Sequence, residues 1–171
     1  VPKMAAMIVL IRILYVSFDN FVMSWAQIII FVSMSSIILG SVVAIWQSNI
    51  KRLIAYSSIA HMGFATLALS TGNKNDIESI LVYMIIYIVA NIGFFSCLIN
   101  IQSKTEKNIN NISDLSGLSV NSPGLAISIA LYMFSFAGIP PLAGFFAKFY
   151  IFTAVIEQSM YFLAIVGLLS T

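Results

Sequence analysis

Charged residues are scarce in this chain. Asp, Glu, Lys and Arg make up 8% of its 171 residues, and the formal net charge is +2. Because an average soluble domain carries about 25% charged residues, this chain cannot cover a water-facing surface with charge. The shortage excludes a soluble globular domain, a disordered chain, a coiled coil and a nucleic-acid-binding protein. The net charge itself is too small to indicate a partner.

Cysteine is almost absent as well, since Cys97 is the single example. One thiol excludes a disulfide scaffold and any zinc or iron–sulfur site built on cysteine. The sequence also has no glycine-rich phosphate loop, no cluster of metal ligands and no nucleophile–base arrangement. We therefore expect this chain to hold no metal and no cofactor of its own.

Apolar residues dominate what remains. They make up 60% of the chain, and the mean hydropathy is +1.01. At about 20 residues per membrane span, 171 residues hold five to six helices. Such segments are predicted as helices because a lipid-spanning backbone must satisfy its own hydrogen bonds and no alternating barrel pattern is present. The prediction is an all-α, polytopic transmembrane bundle in one domain, with apolar segments at about 1–16, 23–45, 53–70, 77–101, 123–156 and from 160.

Both ends of the sequence predict a fragment. The chain opens with Val1 and no initiator methionine, and it closes inside an apolar run. A signal peptide fits poorly because Arg12 interrupts the apolar core and no small-residue cleavage site follows. We expect truncated first and last helices, so that 1–171 is a partial domain of a longer protein.

The loops predict an orientation in the membrane. Connections between successive spans alternate between the two sides. One side holds four basic residues, namely Lys51, Arg52, Lys104 and Lys107. The other side holds one basic residue and four acidic ones, namely Lys74, Asp19, Asp76, Glu78 and Glu157. Because Lys and Arg concentrate in cytoplasmic loops, the first side is predicted to be cytoplasmic or to face the mitochondrial matrix.

Lys148 is the most informative charge within an apolar segment. It is the single charge between Pro123 and Ile156, and Glu157 follows nine residues later, about 14 Å along a helix. The 34-residue run would reach about 50 Å as one helix, and Pro140-Pro141 predicts that it is broken. A charge beside a broken helix is typical of ion sites in transporters. The alternative is a proline kink for packing and a lysine that snorkels to the interface.

Two further polar positions lie within apolar segments. Lys3 would lie near mid-membrane if a helix continues upstream of it, or would anchor a helix start if none does. His61 lies about 15 Å beyond Lys51, on a helix face shared with Ser57 and Ser58. Its side chain suits reversible proton transfer, although a histidine that only packs between helices explains it equally well.

A weaker polar stripe runs along the fourth apolar segment. It consists of Tyr83, Tyr87 and Asn91, spaced four residues apart so that they share one helix face. Hydrogen bonding between helices is the simplest interpretation of this stripe.

Two longer motifs resemble the antiporter-like membrane subunits of respiratory complex I. Residues 46–63, WQSNIKRLIAYSSIAHMG, are similar to a signature of that family, and residues 138–149, GIPPLAGFFAKF, to its broken twelfth helix. Pro2-Lys3 adds to the match, which covers essentially the whole chain. The resemblance implies part of a fourteen-helix fold with two inverted repeats, from within the eighth helix to the thirteenth. Tyr83, Tyr87 and Asn91 depart from a sister subunit that carries His, His and Lys, so the resemblance implies no ionisable relay there.

The resemblance also implies a function. Lys3 and Lys148 match lysines of the eighth and twelfth helices, and with His61 they would transfer protons. NADH, FMN, iron–sulfur clusters and quinone would belong to partner membrane and peripheral subunits, and the chain would lie in a bacterial inner membrane or a mitochondrial inner membrane. A subunit of a multi-subunit sodium/proton antiporter, a membrane-bound hydrogenase and a purely structural scaffold remain as alternatives.

Overall fold

A computed structural model describes residues 2–105 and 109–171 of the chain. These residues form helices and no strand. The α-helices are α1 (Pro2–Arg12), α2 (Val22–Ile45), α3 (Ile50–Leu69), α4 (Ile77–Thr105), α5 (Leu118–Asn121), α6 (Pro123–Ala137), α7 (Ala143–Glu157) and α8 (Tyr161–Leu169). All six predicted apolar segments are confirmed as helical, and the fifth is divided between α6 and α7.

The helical boundaries follow local capping chemistry. The first predicted segment continues past α1 as a π-helical turn, Ile13–Ser17, before the chain turns at Phe18. Helix α3 begins three residues earlier than predicted, because the Asn49 side chain accepts hydrogen bonds from the Lys51 and Arg52 backbone N–H groups. Two described segments, Asp19–Ile45 and Lys74–Ser103, are long and apolar enough to cross a membrane.

Helices α2 and α3 form a tightly packed hairpin. A Cβ atom added to Gly40 would lie 2.5 Å from the Ala60 backbone nitrogen, and one added to Gly63 would lie 2.7 Å from the Ile37 side chain. The two helices therefore approach through glycine, as small residues permit within membranes. Helices α4 and α7 pack beside this hairpin, and their inward faces contribute Ile80, Met84, Ile151 and Val155 to the core.

The loops group on two sides, as the charge pattern predicts. On one side the Ile50 N–H donates to the Asn110 carbonyl at 2.9 Å, which joins the α2–α3 turn to the loop after α4. Lys107 of that loop lies outside the described residues. On the other side Lys74 Nζ lies 2.8 Å from an Asp19 carboxylate oxygen, which joins the α1–α2 turn to the α3–α4 turn. Glu157 interacts electrostatically with Asp76 on this second side.

The loop after α4 contains two short helical turns. A 3-10 turn ends at Leu115, and α5 begins at Leu118, because Gly117 adopts a φ of +76° between them. The Asp114 carboxylate accepts backbone hydrogen bonds from Asn110 and Asn111, which lower the pKa of that carboxyl below its ordinary value.

The glycine contact between α2 and α3 predicts the effect of a small substitution. Gly40→Ala should destabilise the folded protein by about 1–3 kcal/mol, because the α3 backbone must shift to admit a methyl group. The measurement is the thermal unfolding midpoint of the full-length subunit. Gly124→Ala is the matched control, since a Cβ at Gly124 meets nothing within 4 Å. Equal midpoints for the two variants would show that the hairpin does not depend on this approach.

Candidate functional site

The break between α6 and α7 exposes backbone polar groups within the fifth apolar segment. Helix α6 ends at Ala137, and Gly138 follows with a φ of +82°, a conformation that glycine adopts without strain. Its N–H and that of Ile139 both donate to the Phe134 carbonyl. Pro140 and Pro141 have no N–H group and cannot extend the helix. The predicted discontinuity is confirmed, and the Ala137 carbonyl faces Lys148.

Lys148 is buried against this helix end. Its side chain is 7% exposed, and Nζ donates to the Ala137 carbonyl oxygen at 3.1 Å. Nζ also lies 5.1 Å from the centre of the Phe64 ring. A helix C-terminus and an aromatic face both favour a nearby cation. In the part of the chain that the structure describes, no carboxylate forms an ion pair with Lys148, so the ammonium is held by dipoles and a ring.

The two halves of the broken segment touch at Gly144. The Gly144 N–H donates to the Ser135 hydroxyl at 3.2 Å, and a Cβ at this position would overlap the Ser135 carbonyl. The absence of a side chain thus lets the first turn of α7 cross the last turn of α6. This crossing sets where Lys148, one turn further along α7, meets the end of α6.

His61 lies between the helix break and α4. Its side chain is 8% exposed, and Nδ1 is 2.7 Å from the Tyr83 hydroxyl. The Tyr87 ring lies 4.8 Å away and the Phe136 ring 5.5 Å away, centre to centre. Because Tyr83 occupies Nδ1, the other ring nitrogen, Nε2, remains available to bind or release a proton.

Two cavities border both His61 and Lys148. One is a gap of about 10 Å³ reached also by Tyr83, Tyr87 and Ser135, at the limit of what one water molecule needs. The other is about 250 Å³ and is also lined by Ser57. The two side chains therefore share space that water can enter, although no direct hydrogen bond joins them in the described residues.

Lys3 reaches the same region from α1. Nζ donates to the Ser58 hydroxyl, which in turn donates to the Ala55 carbonyl at 2.6 Å. Lys3 is exposed, in a cavity of about 640 Å³ that Tyr87 and Asn91 also line. Asn91 Nδ2 donates to the Tyr87 backbone carbonyl at 2.8 Å, and Ser58 interacts electrostatically with the Tyr87 hydroxyl. The structure therefore brings Lys3, the polar stripe of α4 and His61 into one row of polar side chains. The row continues from His61 to Lys148 through the two cavities that both residues line.

The α4 stripe makes the hydrogen bonding between helices that its spacing predicts. Tyr83 of α4 is the partner of His61 of α3, and Tyr87 lies between His61 and Ser58. The sequence did not identify His61 as the partner. The spacing of four residues was the available signal, since it places both hydroxyls on one face. Hydroxyl groups fit a proton path because each can donate one hydrogen bond and accept others.

Comparison with known proteins identifies the family. The family described as "NADH:quinone oxidoreductase/Mrp antiporter, TM" matches residues 1–171. The chain belongs to this family. It is 60% identical over 171 residues to NADH-quinone oxidoreductase subunit N of Pelagibacter ubique, covering 100% of this chain and 36% of that protein. It is 50% identical to subunit N of Parvibaculum lavamentivorans, covering 99% and 35%. The chain thus spans about a third of the length of these relatives.

Solved structures of the family share this fold. The Mrp complex from Dietzia sp. DQ12-45-1b superimposes with a TM-score of 0.86 at 20% identity, covering 96% of this chain and 30% of that one. Respiratory complex I from Thermus thermophilus with bound aureothin gives a TM-score of 0.66 at 28% identity, covering 84% and 32%. The predicted all-helical, antiporter-like membrane fold is confirmed. The roles of Lys3, His61 and Lys148 stay predictions.

The close approach of Gly138 to Lys148 can be tested. A Cβ at Gly138 would lie 3.0 Å from Lys148 Cδ, so Gly138→Ala should dislodge the lysine from the Ala137 carbonyl. The measurement is labelling of Lys148 by a water-soluble amine reagent in the full-length protein, read by mass spectrometry. Labelling should increase several-fold.

Gly117→Ala is the matched control. Gly117 has a similar φ of +76° and a Cβ there meets nothing within 4 Å, so both variants carry the same backbone strain. Equal labelling of Lys148 in the two variants would contradict the packing described at the helix break.

Proposed function

We propose that this chain conducts protons across a membrane as part of a subunit of NADH:quinone oxidoreductase similar to subunit N. The observation that carries the proposal is Lys148, a buried lysine without a carboxylate partner among the described residues, seated on the end of a broken helix. Ionisable residues within membrane segments are rare and commonly mark ion or proton pathways. The burial of Lys148 without an acidic partner among the described residues supports a role in holding and releasing a proton.

Each residue of the row has a distinct task in this proposal. Lys148 holds a proton on Nζ while the Ala137 carbonyl orients it. His61 accepts or donates through the ring nitrogen that Tyr83 leaves free, and water in the shared cavities joins the two. Lys3 and Ser58 form the entry to the row. Because electrostatic interactions are strong in a water-poor interior, a small change of nearby charge or hydration would shift the proton along the row.

The redox reaction belongs to other subunits in this proposal. NADH oxidation, with FMN, iron–sulfur clusters and quinone, would take place in partner subunits, and this chain would respond to it. The relatives named above are subunits of a multi-subunit enzyme of bacteria, which supports a place among other membrane subunits in a bacterial inner membrane. A mitochondrial inner membrane is the equivalent location, and the apolar outer faces of α2 and α4 would contact lipid.

A second candidate function is cation/proton antiport. The Mrp structure covers more of this chain than the complex I structure does, but at 20% identity that likeness supports the fold alone. The 60% identity to a subunit N favours proton transport driven by NADH oxidation. Sodium dependence separates the two, because antiport requires Na⁺ and the favoured function does not. A membrane-bound hydrogenase would be independent of NADH.

Replacement of Lys148 tests the proposal directly. In the assembled complex, Lys148→Ala should lower NADH-driven proton uptake into inverted vesicles by roughly ten-fold or more, as loss of a proton-transfer group does. Subunit levels should hold, because removal of a buried lysine relieves its desolvation. Lys148→Arg should fail nearly as badly, since arginine does not release a proton near neutral pH.

Lys74→Ala is the matched control, because Lys74 is an exposed, ion-paired lysine of the same chain. The complex that carries Lys74→Ala should take up protons at the normal rate. Near-normal pumping by both Lys148 variants would instead make Lys148 a packing residue and support a structural scaffold.

His61 should be supportive and not essential. His61→Ala should reduce proton uptake to between about a tenth and a half of normal, because water can occupy the vacated space beside Tyr83 and Tyr87 and carry protons in its place. The same vesicle assay measures the effect. Complete loss of pumping with normal assembly would make His61 a required carrier.

A further inference from the structure

Asp76 is a buried carboxyl group that the proton path described so far does not use. It ends a 3-10 turn, Lys74–Asp76, directly before α4. Its side chain is 5% exposed, and Oδ2 has no hydrogen-bond partner among the residues that the structure describes. Buried polar atoms are nearly always hydrogen-bonded, so an unpartnered carboxyl oxygen indicates a group that binds something further.

The surroundings of Asp76 contain polar and acidic groups but no compensating cation. Thr71, Glu157 and the buried Tyr15 interact electrostatically with the carboxyl group, and the Tyr15 hydroxyl itself donates to the Asn73 carbonyl at 3.2 Å. The basic residue of the turn, Lys74, points to Asp19 and forms an ion pair with it at 2.8 Å. Asp76 therefore has an acidic neighbour on α7 and no ion pair in the described part of the chain.

Burial and the neighbouring charges bear on whether the Asp76 carboxyl group is neutral or ionised. A buried carboxylate is tolerated when a cation or several donors surround it, and a second carboxylate nearby disfavours it further. The Thr71 hydroxyl donates to the Ala68 carbonyl at 2.8 Å and accepts from the Asn73 N–H at 3.4 Å.

We propose that Asp76, beside Glu157, is a proton-binding acid at the outward end of the path, on the side opposite Lys51 and Arg52. The assignment of direction rests on the proposed function above. In this step a proton that has left Lys148 binds the Asp76 carboxylate, and the resulting acid later gives the same proton to water on the outer side. No electrons move, and the carboxylate is restored.

The position of Asp76 relative to the row supports this role. Seven residues of α4, about 10 Å, separate it from Tyr83, and nine residues of α7, about 14 Å, separate Lys148 from Glu157. The side chains that fill this interval include Ile80, Ile151 and Val155, each 0% exposed. Asp76 is thus the first buried acid beyond an apolar layer among the described residues. A proton reaches it when water crosses that layer.

Infrared difference spectroscopy of the assembled complex in vesicles tests the proposal. A neutral carboxylic acid has a C=O stretch separate from the carboxylate and amide bands. Asp76→Asn, an isosteric neutral replacement, should remove one such band at neutral pH and leave subunit levels unchanged. Proton uptake driven by NADH should fall several-fold in the same vesicles.

Glu78→Gln is the matched control, because Glu78 is an exposed carboxylate only two residues from Asp76. It should change neither the acid band nor pumping. Three outcomes would overturn the proposal. The acid band could survive in Asp76→Asn, pumping could stay normal although the band is lost, or the band could vanish on addition of Na⁺ at constant pH, which would indicate a cation site.

The two sets of variants distinguish failure of the Asp76 proposal from failure of the proposed function. If the Lys148 variants pump normally, proton conduction by this chain fails, whatever the infrared spectrum shows. If those variants fail and Asp76→Asn pumps normally, the path exists and Asp76 is not its outlet.

Discussion

The candidate site of this chain depends on one contact, the Lys148 ammonium against the Ala137 carbonyl at the end of α6. That carbonyl is free because a helix leaves its last carbonyls without partners, and because the two prolines that follow have no N–H to offer. The break supplies the acceptor, and Gly144 lets α7 cross close enough to place the lysine on it. Without the discontinuity, Lys148 would face an apolar helix surface on which an ammonium has no partner.

The same contact would allow the charge of Lys148 to change, as the proposed function requires. A carboxylate would fix the lysine in its protonated form, whereas a carbonyl and the Phe64 ring hold it more weakly. His61 lies within electrostatic range of both Lys148 and Lys3, so a proton on any one of the three alters the energy of a proton on the others. In the proposed function the row would therefore act as a set of coupled sites.

Much of the architecture could be predicted from sequence because the signals are local. Hydropathy marks each apolar segment, proline chemistry marks the break, and the rarity of charge singles out Lys148. The partners could not be predicted, since they depend on packing between distant elements. Tyr83 meets His61 across 22 residues, and Ala137 becomes an acceptor only where α6 ends. In the sequence, Asp76 is one of five loop charges on the same side and nothing sets it apart. The burial of a loop residue leaves no periodic signal that could be read from the sequence.

A proton path has to be polar enough to hold a proton and closed enough to preserve a gradient. In the proposed path, the polar groups lie in the inner part, around Lys3, His61 and Lys148, whereas the outer part is closed by tightly packed aliphatic side chains such as Ile80 and Ile151. Voids in such a layer are too apolar to hold water stably. Conduction then requires a transient water chain. Because a charge on Lys148 attracts water and a neutral amine does so less, the charge state of the lysine itself can determine when the apolar layer opens.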